Sequence, residues 1–97
     1  MTPKAHLTPT LQKALLDQAR MVIKRLERLS VDSTWAHRAS GYRGALVRQI
    51  DRFEALAPAD RAGIRGQREA EKLETLIQVS FTILESAARE IPDDKKS

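Results

Sequence analysis

The chain has 97 residues, no cysteine and a formal charge of +4. That length holds one hydrophobic core and leaves no room for a second. The missing thiols exclude disulfides, thiolate nucleophiles and Cys-based zinc or iron–sulfur sites.

Residues 1–9 hold two Pro and two Thr and read as an N-terminal arm. Thr8 or Thr10 is placed to cap a first helix; with Thr8 as the cap, Pro9 takes the first helical position, where its missing N–H costs nothing. From Leu11 to Leu29 the apolar positions Leu11, Leu15, Val22, Leu26 and Leu29 recur at helical period, and Leu16, Ala19 and Ile23 widen the stripe. The pattern predicts a helix over 10–30 with Lys13, Asp17, Arg20, Lys24 and Arg28 on its polar side. The run Ser30-Val31-Asp32-Ser33 is rich in cap formers and predicts a tight hairpin into a second helix.

The second helix is expected over 33–56. Trp35, Ala39, Tyr42, Leu46, Ile50 and Phe53 share one side, and a small-residue track, Ala36-Ser40-Gly44 with Gly41 beside it, runs along another. Two interior glycines cost a helix roughly 1.6–2 kcal/mol relative to Ala. A close crossing at that track, by a helix of the same chain or of a second subunit, would offset this, so Gly44→Leu is expected to be damaging through overpacking.

Pro58 ends that helix, and Gly63 and Gly66 weaken helix formation in the next stretch, so a short helical turn or frayed first turn is expected before a firm helix over 67–91. Leu73, Leu76, Ile77, Ser80, Phe81, Ile83, Leu84, Ala87, Ala88 and Ile91 form its broad apolar face. Pro92 stops it, and 92–97 reads as a solvated tail. Together these elements predict an all-α fold: one domain over 10–91, a three-helix antiparallel bundle of long helices open to assembly as a homo-oligomer.

Charge is unevenly spread. Residues 1–31 carry a net +4 and residues 58–97 a net −1. Arg20, Lys24 and Arg28 on the first helix, with Arg61, Arg65 and Arg68 further on, repeat at helical spacing. Like charges so placed repel, and convergence on one face would suit a phosphate backbone. Gly63-Ile64-Arg65-Gly66 has the spacing of a backbone-clamping GxxG, but the adjoining sheet which that device needs is not predicted.

Motifs of chemistry are scarce. His6 and His37 stand 31 residues apart with no HxH or HExxH, and Ser40 lacks the G-x-S-x-G elbow of a hydrolase. Glu69, Glu71 and Glu74 have no facing acids in the pattern, so a solvated helix face accounts for them. No enzyme activity, metal, cofactor or small-molecule substrate is therefore expected.

Trp35, Arg38 and Tyr42 are residue types enriched at interfaces, and with Ser40, Gly41 and Gly44 they make the candidate contact surface. Two roles are open. The first is a non-catalytic protein–protein interaction or oligomerisation domain, an adaptor or accessory subunit whose partner is itself or a larger protein. The second is a nucleic-acid-binding domain using the six basic residues. With no signal-length apolar run and no stretch of about 18 apolar residues, the expected location is cytoplasmic and no membrane association is expected.

Overall fold

The computed structural model describes residues 8–29 and 34–90. Four helices run in order: α1 (Pro9–Glu27), α2 (Thr34–Glu54), α3 (Pro58–Arg61) and α4 (Ile64–Glu90). The fold is all-α, but the expected three-helix count is corrected to four. Pro58 opens α3, a separate single turn, and α4 begins at Ile64 instead of Gln67.

The physical reason lies at Gly66. The last residue of α3 folds back so closely on the first turn of α4 that a Cβ on Gly66 would overlap the backbone of Arg61. Gly66 is buried, and it permits the α3–α4 corner by having no side chain. A glycine that weakens a helix by propensity is here what lets two helices meet.

Thr8 caps α1 as its position suggests. Its hydroxyl accepts from the Leu11 N–H at 3.2 Å, and Pro9 occupies the first turn. The Ser30–Ser33 connection, most of the N-terminal arm and the 92–97 tail lie outside the described residues. At its far end α2 tightens, Leu56 N donating to Phe53 O at 3.2 Å, before Pro58 starts α3.

Leu15, Ala19, Val22 and Leu26 of α1 are buried against Ala39, Leu46, Ile50 and Phe53 of α2 and Ala70, Leu73, Ile77 and Ile83 of α4. The α2 stripe is thus the core face, with Trp35 and Tyr42 packed half-buried at its N-terminal end. Leu11, expected in the α1 stripe, is 52% exposed, because the first turn extends past the packing.

Two ion pairs fix the direction of α1 against α2. Arg20 reaches Glu54 at 2.6 Å, and Glu27 lies 3.8 Å from Arg43, so the helices are antiparallel. Between α2 and α4 the buried Gln49 makes a polar link. Its amide donates to the main-chain oxygen of Glu69 at 3.1 Å and also to the Glu69 carboxylate. Ser80, fully buried on α4, donates to Leu76 O at 2.7 Å and so needs no partner from another helix.

Candidate interaction surface on helices α2 and α4

The α2 residues named as a contact surface divide over three sides of the helix. Trp35, Arg38 and Tyr42 face α4, where they line an open groove of about 370 Å³. Val79 and Ile83 supply its apolar side from α4, with Thr82 and Ser86 adding hydroxyls. The Arg38 guanidinium carbon sits 5.0 Å from the centroid of the Trp35 ring. At that distance the cation meets the ring's negative face, which holds both side chains in one arrangement.

Ser40 lies on the α1 side, with Ala36 and Arg43, along a smaller groove of about 190 Å³ closed by Leu26 and Leu29. Gly41 and Gly44 lie on neither groove. A Cβ on Gly41 would meet nothing within 4 Å, and one on Gly44 would meet only the Arg48 side chain of its own helix at 3.5 Å. The expectation that a helix of this chain crosses closely at the small-residue track is therefore corrected. At Gly44 no neighbouring helix of the monomer comes within 4 Å of the Cβ position. Propensity marked the right residue type at the wrong position, since the constrained glycine is Gly66.

The basic residues are also distributed. Arg20 and Arg61 converge on Glu54, Arg20 on its carboxylate and Arg61 on its main-chain oxygen at 3.2 Å. Arg61 thus satisfies a carbonyl at the end of α2, where a cation is favoured by the helix dipole. Arg65 and Arg68 are exposed on the first turns of α4, while Lys24 and Arg28 continue along α1 toward its C-terminus. Glu69 turns to Gln49 and Lys72.

Among the described residues no group of three or more His, Asp or Glu could hold a metal ion, and no helix is long and apolar enough to cross a membrane. His37 is exposed on α2. The Gln49–Glu69 clamp and the Arg61 cap were not anticipated. A polar residue on the flank of an apolar stripe is the only sequence signal for the first, and it does not name a partner.

Fold and geometry define the chain as a small all-helical domain. It matches no family model, curated protein or solved structure against which it was compared.

Proposed function

We propose that this domain is a non-catalytic protein–protein interaction module that self-associates through the α2–α4 groove. The observation carrying the reading is the Arg38–Trp35 stack beside Tyr42, set against Val79 and Ile83 across an open groove. Aromatic and arginine side chains are those that contribute most at interfaces: the rings bury much area with few freely rotating bonds, and the guanidinium offers several donors in one plane. Stacking on the indole also lowers the cost of desolvating the guanidinium when a partner covers it.

A second copy is the partner to which the size of the chain points. A short bundle buries a limited fraction of its surface, and Met21, Val47 and Ile64 join Leu11 as large apolar side chains left exposed. An isologous contact would set each groove against the same groove of the other subunit.

Trp35 is the single tryptophan, so its emission reports the groove alone. On dilution from near-millimolar to nanomolar concentration, the emission maximum should move to longer wavelength as Trp35 becomes more exposed. Arg38→Glu should show the dilute-state spectrum throughout. A spectrum independent of concentration in the unmutated chain would end the proposal.

A further inference from the structure

A third groove runs between α1 and α4. Two hollows, of about 440 and 230 Å³, run into each other where Gln18 and Glu74 line both. Leu15, Ile77 and Phe81 supply its apolar lining, and the half-exposed Leu11 stands at one end. Its charged residues are Glu74 and Glu85, with no Lys or Arg among the lining side chains. On a chain of net charge +4 this is a local reversal of sign.

The two acids are also unspent. Asp17, Glu27, Glu54 and Glu69 each have a cationic neighbour. Among the described residues neither Glu74 nor Glu85 has one within 4 Å, as is also true of the exposed Asp51, Asp60 and Glu71 outside the groove. Glu74, Gln78, Phe81 and Glu85 succeed one another at steps of four, three and four, so they form one row along α4. The end carboxylates are eleven residues apart, about 16 Å at 1.5 Å per residue, with Phe81 between them.

We infer that the α1–α4 groove, which adjoins the self-association surface at Thr82, is a docking site for a basic amphipathic helix of a partner protein. A helix bearing Lys or Arg at positions i and i+11, with apolar side chains at i+4 and i+7, places a cation at each carboxylate and an apolar row over Phe81. An anionic helix, a nucleic acid or an anionic lipid surface would instead meet Glu74 and Glu85 with like charge. With the α2–α4 groove, this gives the domain two faces, one for its own copy and one for a cationic partner.

A synthetic fluorescein-labelled helix with that Lys and Leu spacing tests this by fluorescence anisotropy against the intact chain. The same helix with Glu for Lys is the counterpart. The Lys helix should bind, more weakly as salt is added, and the Glu helix should not. Glu74→Lys/Glu85→Lys should weaken binding on the order of tenfold or more, equivalent to about 1.4 kcal/mol. Leu11→Ser should weaken it several-fold. Asp51→Lys/Asp60→Lys, which makes the same charge change at exposed positions outside the groove, should leave it unchanged, as should Arg38→Glu. Circular dichroism confirms that each variant is folded.

Failure of the Lys helix to bind, equal binding of both helices, or equal loss in the two double-charge variants would overturn the assignment. So would dissolution of self-association by Glu74→Lys/Glu85→Lys, which would make a second copy the occupant. The Arg38→Glu control separates these outcomes from failure of the self-association reading.

Discussion

Gly66 packs against the carbonyl group of Arg61 so closely that no other residue fits there without moving the backbone. This contact sets the α3–α4 corner, and through Arg61 it reaches the end of α2, where the guanidinium holds Glu54 O. Gly66→Ala should therefore destabilise the fold by about 1–3 kcal/mol, the range for forced overpacking. Gly41→Ala should do the reverse. Its site is empty and helical, so it should gain about 0.5–1 kcal/mol. Urea denaturation of the two variants checks both signs, and equal effects would contradict the distinction.

Gln49 is the buried polar residue that joins α2 to α4, its amide donating to the main-chain oxygen and to one carboxylate oxygen of Glu69. Gln49→Ala should cost about 1–3 kcal/mol, from lost hydrogen bonds and a small cavity. Gln49→Ala combined with Glu69→Ala should cost less than the sum of the single changes. Chemical denaturation of all four proteins in that cycle measures the coupling.

Arg20 and Arg61 both meet Glu54 but should behave differently. The Arg20–Glu54 pair is nearly half exposed on both sides, so Arg20→Ala should cost about 0.2–1 kcal/mol and lose most of that effect in high salt. Arg61 is more covered and its hydrogen bond caps a helix, so the cost of Arg61→Ala should persist at high salt. Melting curves at low and high ionic strength separate the two.

Phe53 is fully buried in the core cluster to which α1, α2 and α4 contribute, near the C-terminal end of α2. Phe53→Ala should cost about 3–5 kcal/mol. Differential scanning calorimetry should show a large loss of melting temperature, in contrast to Val47→Ala on the exposed side of the same helix.

The apolar stripes of α1, α2 and α4 were legible in the sequence because burial imposes a helical period that residue type records directly. Thr8 and Pro9 were legible for a similar reason, since a cap and a first-turn proline are local chemistry. The features that were not legible depend on contacts distant in sequence or on packing. Gln49 is one polar residue among several on α2 until α4 brings Glu69 beside it. The glycines were the clearest case. Propensity assigns Gly41, Gly44 and Gly66 the same cost, and only the approach of Arg61 distinguishes the one that is needed. Residue type grouped Trp35, Arg38 and Tyr42 with Ser40, Gly41 and Gly44, and spacing alone did not separate the three that line the α2–α4 groove from those on other sides of α2.

Sedimentation velocity of the unmutated chain and of Arg38→Glu over a wide concentration range tests self-association through the α2–α4 groove most directly. Arg38 is exposed, so the substitution alters the surface and spares the core. The unmutated chain should approach twice its monomer mass as concentration rises, and Arg38→Glu should remain monomeric. A monomer at every concentration, or self-association undiminished in Arg38→Glu, would contradict the account.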